Sequence, residues 1–241
     1  MSVARGKLIA IEGIDGSGKR TQLDLLAHAL QARGLHTTQV SFPRYDTSFG
    51  KLVARYLNGE FGVLSAVDPH FSALLYANNR LEAKSELDSA LAEGKIILAD
   101  RYVASNLAHQ SSRVASERRD EFRDWLTHLE YELYGLPVED LVVYLRVPAV
   151  EAQRLVDLKA ARSYTARRRD LHEADAAHLQ KAAESYDQLA TQSNWVRIDC
   201  TDGESGVLFS PEEIHRKVLT LVETRILTDT SSQTANRKGQ P

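Results

Sequence analysis

The sequence predicts an α/β fold built on a doubly wound, five-stranded parallel sheet, and two observations support this. A short apolar run, Lys7–Glu12, passes through a glycine-rich turn into a helical pattern, which together form a strand, loop and helix unit. Further short apolar runs recur along the chain with long helical stretches between them. Parallel strands joined by helical crossovers are covered on both faces, which explains why each run is apolar throughout.

The helical stretches between these runs have recognisable boundaries. The first, over residues 21–30, places leucine and alanine at helical spacing and stops before Gly34. Asp68-Pro69 begins a second, which the pattern continues to about residue 94. Ser210-Pro211 begins the last helix. The strand candidates that the helices separate are Lys7–Glu12, residues 36–42, Ile96–Asp100, residues 141–147 and Trp195–Asp199.

Length and composition limit the class of protein. With 241 residues, 43% of them hydrophobic, the chain can form one large domain, which we place at residues 1–227. Residues 228–241 have no aromatic or branched aliphatic side chain, and we expect a disordered tail there. A net charge of -3 argues against binding to nucleic acid. We expect a cytoplasmic protein without a membrane span, since no long apolar segment occurs and Cys200 is the single cysteine.

The strongest chemical signal is GIDGSGKRT, which lies between the first strand and the first helix. Gly13, Gly18 and Lys19 have the spacing G-x-x-x-x-G-K, in which backbone N–H groups close on phosphate oxygens at a helix N-terminus. Lys19 would reach the transferred phosphate. The alternative is a tight turn without a ligand. The nucleotide-binding residues that the motif predicts are Gly13, Ile14, Asp15, Gly16, Ser17, Gly18, Lys19, Arg20 and Thr21.

A metal ligand and an anion clamp are expected where another strand ends. Arg20 stands where the motif expects the Ser or Thr that holds Mg²⁺, and Thr21 points about 100° away around the helix. Asp100 ends the run Ile96–Asp100 at the carboxyl edge of the sheet, so we expect Asp100 and water to hold the metal. The planar fork of Arg101, directly after it, suits a phosphate group.

Four blocks in order, IEGIDGSGKRTQ, FPRY, DRYVASN and a basic segment ending in DLHEAD, resemble the thymidylate kinase family. Within that family the sequence is similar to a bacterial branch in which Lys-Arg-Thr follows the glycine of the phosphate loop. The resemblance implies five parallel strands, a homodimer, and magnesium-dependent transfer of a phosphate from ATP to dTMP, giving dTDP and ADP. It also implies catalytic roles for Asp15, Lys19, Arg101, Arg162 and Arg167.

The same resemblance implies where the acceptor binds. Asp15 would accept from the 3′-hydroxyl of the sugar, although an aspartate in a loop can also simply cap a turn. Tyr76 would lie against thymine while Arg80 and Asn106 bond to the base, and Phe42 could equally be ordinary core. His109 and Gln110 would only shape the site. The residues implied in dTMP binding are Asp15, Phe42, Arg44, Tyr45, Tyr76, Arg80, Arg101, Asn106, His109, Gln110, His172 and Glu173.

Residues 160–175 form a basic segment without the apolar spacing of a packed helix, and we interpret it as a lid. The alternative is a solvated run of charge. Gly16 has no side chain, whereas one branch of the family carries an arginine at this loop position. Positive charge for the moving phosphate must then come from Arg162, Arg167 and their neighbours in the lid.

Three other functions remain open on the sequence alone. The nearest is another nucleotide or deoxynucleoside kinase of the same fold, which substrate tests would separate. A phosphate-loop switch protein is disfavoured because no guanine-reading Asn-Lys-x-Asp or Thr-Lys-x-Asp element occurs. A degenerate kinase kept for binding is suggested only by Arg20.

Overall fold

The structure is a computed structural model, and it describes residues 4–63, 66–162 and 176–227, without the side chains of residues 159–162 and 176–177. Its centre is a five-stranded sheet in the order β2-β3-β1-β4-β5, in which every neighbouring pair is parallel. The predicted fold class is therefore confirmed. The strands are Lys7–Glu12 (β1), Thr37–Ser41 (β2), Ile96–Asp100 (β3), Leu141–Arg146 (β4) and Trp195–Asp199 (β5).

Helices connect the strands and cover both faces of the sheet. One π-helical turn, His128–Leu133, continues the helix Arg119–Thr127, and a second, Glu223–Leu227, continues the helix Pro211–Val222. The helices are Lys19–Ala32 (α1), Ser48–Leu57 (α2), Pro69–Leu81 (α3), Lys84–Ala92 (α4), Val103–Ser111 (α5), Arg119–Thr127 (α6), Ala149–Arg162 (α7), Ala176–Leu189 (α8) and Pro211–Val222 (α9).

Local capping explains where two of the helices begin. At α9, Ser210 Oγ accepts from the Glu213 N–H at 3.2 Å, and the Glu213 carboxylate accepts from the Ser210 N–H at 2.8 Å. At α3, Asp68 accepts from the His70 N–H at 2.7 Å, with Pro69 in the first helical position. Both start points agree with the sequence prediction.

The single helix predicted from Asp68 to about residue 94 is wrong, because the chain turns at Glu82 and continues as α4. The Ala83 N–H bonds to the Arg80 carbonyl, three residues back rather than four, which tightens and redirects the chain. Ala83 is buried in the main core, and the Glu82 carboxylate accepts from the Phe49 N–H at 3.1 Å. Tertiary contacts therefore set this break.

The main core lies on the sheet, where residues 8–11 of β1 have no exposed surface. Burial of one aliphatic side chain of this size contributes about 1.5–3 kcal/mol. A second, smaller cluster lies between α2 and α3, around Val53, Tyr56 and Leu75. In the described ranges no helix combines the length and the apolar character needed to cross a membrane.

Candidate active site

The phosphate loop joins β1 to α1 at the carboxyl edge of the sheet. Gly18, the residue before α1, has a φ of 84°, which is a left-handed conformation that glycine adopts without strain. Gly16 has a similar φ, and a Cβ there would lie 2.1 Å from the carbonyl oxygen of Ala152 in α7. Glycine is thus required at position 16 because α7 packs directly against the loop.

Lys19 lies inside this loop and is 7% exposed. Its Nζ donates to the carbonyl oxygens of Gly13 at 3.1 Å and Ile14 at 2.9 Å. Burial, reinforced by the nearby Arg101 charge, lowers the pKa of Lys19 to about 8, although Asp15 and other carboxylates oppose the shift. The ammonium group is therefore held in the loop, where a nucleotide phosphate can replace the carbonyl contacts.

Arg101 follows β3 directly and turns back over the loop with a φ of 65°. Its Nη2 donates to Asp15 Oδ1 at 2.5 Å, and its Nη1 donates to the Gly13 carbonyl at 3.2 Å. Burial would raise the pKa of Asp15, but Arg101 and Lys19 hold it well below its usual range. Two groups that the sequence assigned to different ligand atoms are therefore ion-paired with each other.

A cavity opens beside this ion pair, between the end of β2 and helices α3 and α5. Its walls combine aromatic rings, two arginines and three amide or imidazole side chains. It brings together most of the residues that the sequence linked to an acceptor: Asp15, Phe42, Tyr45, Tyr76, Arg80, Arg101, Asn106, His109 and Gln110.

At the deep end of the cavity two polar side chains are held by one carboxylate. Arg80, 2% exposed, donates from Nε and Nη2 to the two oxygens of Glu130, both at 2.6 Å. Asn106 Nδ2 donates to Glu130 Oε1 at 2.9 Å and to the Ala73 carbonyl at 3.0 Å. Among the described residues, Asn106 Oδ1 is buried without a hydrogen-bond partner. An acceptor is thus left for a ligand.

The nearer wall of the cavity is shaped by the next turn of α5. Gln110 Oε1 accepts from Ser72 Oγ at 2.8 Å and from Arg113 Nη1 at 2.9 Å, which fixes its amide. The ring nitrogens of His109 lie 3.3 Å from Arg101 Nη1 and 3.3 Å from His178 of α8. α5 therefore connects the arginine at the loop with the helix that follows residues 163–175.

A second cleft runs along the phosphate loop and shares Asp15 and Arg101 with the cavity, together with Phe42, Pro43 and Tyr45. Asp100 and the loop residues 15–21 line it, whereas Gly13 and Ile14 do not line it and accept from Lys19 through their carbonyl groups. Arg20 is largely exposed and pairs with Asp24 at 3.0 Å. The far wall is apolar and comes from Leu208, Phe209, Pro211 and Ile214.

A family model described as Thymidylate kinase matches residues 11–208, which include the loop, the cavity and the cleft. The chain belongs to the thymidylate kinase family. By that membership it is an ATP-dependent nucleoside monophosphate kinase that phosphorylates dTMP to dTDP.

Individual relatives of the kinase match along most of their length. The thymidylate kinase of Mycobacterium tuberculosis strain H37Rv is 32% identical over 213 residues, covering 86% of this chain and 99% of that protein. Human thymidylate kinase is 30% identical over 233 residues, covering 95% and 96%. A probable thymidylate kinase of Thermococcus onnurineus is 31% identical over 224 residues. These relatives span bacteria, archaea and eukaryotes and do not assign the kinase to one branch.

The fold is also similar to a solved structure of thymidylate kinase from Candida albicans. The TM-score is 0.68 with 22% sequence identity, and the match covers 91% of this chain and 92% of the other. The likeness agrees with the five-stranded parallel sheet described above.

One residue predicted for the kinase site has its side chain in another contact, and others cannot be placed. Arg44 is not part of the cavity wall, and its Nη1 donates to Glu86 of α4 at 2.6 Å. Asn79, buried in α3, holds the Arg44 backbone through both its N–H and its carbonyl. Outside the described residues lie Arg167, His172, Glu173 and the side chain of Arg162.

Sequence reasoning missed two buried glutamates of this kinase. Glu130 is the first, as described above. Glu12, also without exposed surface, accepts from the Tyr102 N–H at 2.7 Å, from Ser105 Oγ at 2.6 Å and from the Tyr186 hydroxyl at 2.8 Å. Burial raises the pKa of Glu12, while Arg101 and these donors oppose the shift. A carboxylate that ends an apolar strand just before the loop was the available signal for Glu12.

Proposed function

We propose that the protein transfers the terminal phosphate of MgATP to dTMP with the acceptor in the cavity and the donor in the cleft along the phosphate loop. The observation that carries this proposal is that the two spaces share Asp15 and Arg101. Two nucleotides bound there would meet with their phosphates at the ion pair. Phosphoryl transfer needs mainly such in-line positioning and charge stabilisation.

The residues near the loop have separate roles in this proposal. Lys19 gives up its contacts with the two backbone carbonyls and binds the transferred phosphate. Arg101 clamps the phosphate of dTMP, and Asp15 accepts from the 3′-hydroxyl of the sugar. Ser17 Oγ, buried and without a hydrogen-bond partner in the described part, offers a donor to a phosphate oxygen. Backbone N–H groups of residues 13–21 complete the phosphate site.

The base is held at the deep end of the cavity. Tyr76, Phe42 and Tyr45 line the cavity, and Tyr76 would stack on the base. Asn106 Oδ1 can accept from N3–H of thymine, a proton that cytosine lacks at this position. Arg80 retains Nη1 for a carbonyl oxygen of the base, since Glu130 occupies Nε and Nη2. His109 and Gln110 shape the site around the sugar and base, and His172 and Glu173, outside the described residues, remain proposed contacts of dTMP.

Mg²⁺ forms part of the proposal. In the described ranges no group of three His, Cys, Asp or Glu side chains could hold a metal ion. Mg²⁺ bound with nucleotides usually takes only one or two carboxylates, together with phosphate oxygens and waters. Asp100 lies in the cleft beside Lys19 and fits that set. When bound, the ion neutralises charge on the donor phosphates.

The wider organisation is proposed on the same basis. Residues 1–227 would form the catalytic unit, with residues 160–175 closing over the donor as a lid and residues 228–241 as a dispensable tail. The Lys19-Arg20-Thr21 order supports membership in a bacterial branch of the family. We further propose a cytoplasmic homodimer that binds neither nucleic acid nor membranes.

A coupled assay for ADP release tests the proposal. ADP should form with dTMP, more slowly with dUMP, and hardly at all with dCMP or thymidine. The methyl group that dUMP lacks is worth only about 1–3 kcal/mol, whereas the mispaired polar edge of dCMP costs more. Lys19→Met should remove activity without unfolding the protein, while Lys181→Met, at an exposed lysine of α8, should not. No dTMP-dependent ADP release in the wild type would contradict the proposal.

A further inference from the structure

Glu130 lies behind the cavity and does not line it, but it holds both side chains that face the base. It is fully buried in the π-helical turn that follows α6. Turns of this kind insert one extra residue into a helix and often occur at functional sites. One carboxylate therefore accepts from Arg80 and from Asn106 at the same time.

These contacts determine which way round the Asn106 amide faces. A carboxylate paired with arginine offers only acceptors, and so does the Ala73 carbonyl, the second contact of Nδ2. Both positions require the NH₂ side of the amide. The oxygen is therefore left buried without a hydrogen-bond partner in the described part of the chain, in a residue that lines the cavity.

The orientation of this amide decides which pyrimidine can pair with it. N3 of thymine or uracil carries a proton and needs an acceptor, whereas N3 of cytosine is itself an acceptor and needs a donor. The bidentate ion pair also fixes the fork of Arg80, a donor that suits the O4 carbonyl of thymine and repels the amino group of cytosine.

We propose that Glu130 is a specificity-determining positioning residue, which selects thymine over cytosine by holding the Asn106 amide oxygen and the Arg80 fork towards the base. This inference rests on the proposed function of the cavity. Glutamine at position 130 would offer a donor as well as an acceptor, so the Asn106 amide could turn its NH₂ group to the ligand with only the Ala73 contact opposing it.

The test compares kcat/KM for dTMP and for dCMP in the wild type and in Glu130→Gln. We expect the dCMP-to-dTMP ratio to rise by about tenfold or more, since loss of one charged hydrogen bond is worth at least about 1.4 kcal/mol, a factor of ten. Glu130→Asp keeps an acceptor-only group and should keep the ratio near that of the wild type, even if turnover falls. A purely structural role would lower activity with both substrates equally.

Glu139→Gln is the matched control. Glu139 is also a buried glutamate, it accepts from the Tyr131 hydroxyl at 2.6 Å, and burial raises its pKa to about 7, so a neutral side chain is well suited there. The dCMP-to-dTMP ratio of kcat/KM in Glu139→Gln should equal that of the wild type. If the wild type prefers dTMP and Glu130→Gln leaves the dCMP-to-dTMP ratio of kcat/KM unchanged, the inference is overturned and the proposed function stands. A wild type without preference for dTMP would overturn both.

Removal of a charge from a buried ion pair can prevent folding. A crystal structure of the wild type with dTMP then decides the matter. Asn106 should bond to N3 of the base through Oδ1 while Nδ2 keeps its contact with Glu130. Separation of Glu130 from Asn106 beyond about 3.5 Å in that complex, too far for a hydrogen bond, would overturn the inference.

Discussion

Arg101 Nη2 donates to Asp15 Oδ1 over 2.5 Å, where the cavity meets the cleft along the phosphate loop. Each side chain neutralises the other before any nucleotide is bound, which lowers the cost of keeping both charges buried. We therefore predict that binding of dTMP redistributes this pair, with the guanidinium turning to the phosphate and the carboxylate to the sugar hydroxyl.

Asp15→Asn should lower kcat/KM for dTMP by about 100-fold, because small errors in the position of the acceptor cost a factor of this size. The loss should be much smaller for 3′-deoxythymidine monophosphate, which has no 3′-hydroxyl to donate a hydrogen bond to Asp15. Asp24→Asn, at the surface pair with Arg20, is the matched control and should change neither value. Equal losses with the two acceptors would contradict the assigned contact.

The pKa of Lys19, lowered to about 8, predicts an alkaline limit to activity. Below this pH the ammonium group is charged and can bind phosphate, and above it the free enzyme loses that charge. The kcat/KM for MgATP should therefore fall as the pH rises through about 8. In kcat the limit should move to higher pH, since bound phosphates stabilise the ammonium group.

Initial rates between pH 6 and pH 10, roughly the range that brackets lysine titration, check this. Lys19→Arg should lose the alkaline limit in whatever activity it retains, because guanidinium stays charged over this range. A flat wild-type profile up to about pH 10, the ordinary region for lysine, would contradict it.

The Tyr186 hydroxyl of α8 donates to the buried Glu12 and bonds to Ser105, which accepts from Arg101. Tyr186→Phe removes that hydroxyl and should lower kcat about tenfold, the effect of one charged hydrogen bond, with little change in KM for dTMP. Tyr144→Phe is the matched control. Its ring stacks on Tyr186 at 5.1 Å, but its hydroxyl bonds to Ala183 and Asp187, away from the site.

Thermal unfolding of Tyr186→Phe and Tyr144→Phe distinguishes an effect on the active site from an effect on stability. Both variants lose one buried hydroxyl and should melt at similarly lowered temperatures, whereas only Tyr186→Phe should lose turnover. A similar loss of kcat in Tyr144→Phe would mean that the effect is general loosening of α8.

The strands, the phosphate loop and the starts of α3 and α9 could be predicted because their signals are local. An apolar run, a glycine spacing or a capping residue acts within a few positions. Contacts between distant segments could not be predicted in this way. Asp15 and Arg101 were each expected to face a ligand, but their pairing depends on β1 and β3 being neighbours in the sheet.

The helix break at Glu82 and the role of Glu130 were missed for the same reason. No glycine or proline marks residues 82–83, and the turn is made by packing of Ala83 into the core. Glu130 follows an ordinary amphipathic pattern, and only the fold brings it to Arg80, 50 residues earlier.

We predict that Glu86 competes with the phosphate of dTMP for the Arg44 side chain. The pair is partly exposed and is worth at most about 1 kcal/mol, so Glu86→Gln should lower KM for dTMP by no more than about fivefold. Arg44→Ala should raise it. Asp88→Asn, at a similar pair with Lys84 on the same helix, is the control and should leave KM unchanged. A rise in KM for Glu86→Gln would show that the pair supports binding.

We predict that arginines of the proposed lid, residues 160–175, provide positive charge that position 16 of the phosphate loop cannot. A side chain at position 16 is excluded by the carbonyl of Ala152, so no arginine can stand at this position without moving α7. Arg162→Ala and Arg167→Ala should each lower kcat, by as much as about 10³-fold for the residue that touches the phosphate, with little change in KM for dTMP.

Arg169→Ala is the matched control within the lid. Arg169 lies beside Asp170 in the sequence, with Glu173 and Asp175 close behind, and an exposed ion pair there would contribute only about 0–1 kcal/mol. Its kcat should therefore change little. Steady-state kinetics on the three variants distinguish a contact made in the transition state from a solvated run of charge. An unchanged kcat in both Arg162→Ala and Arg167→Ala would favour the solvated run, because the transferred phosphate would then be neutralised by Lys19, Arg101 and the metal alone.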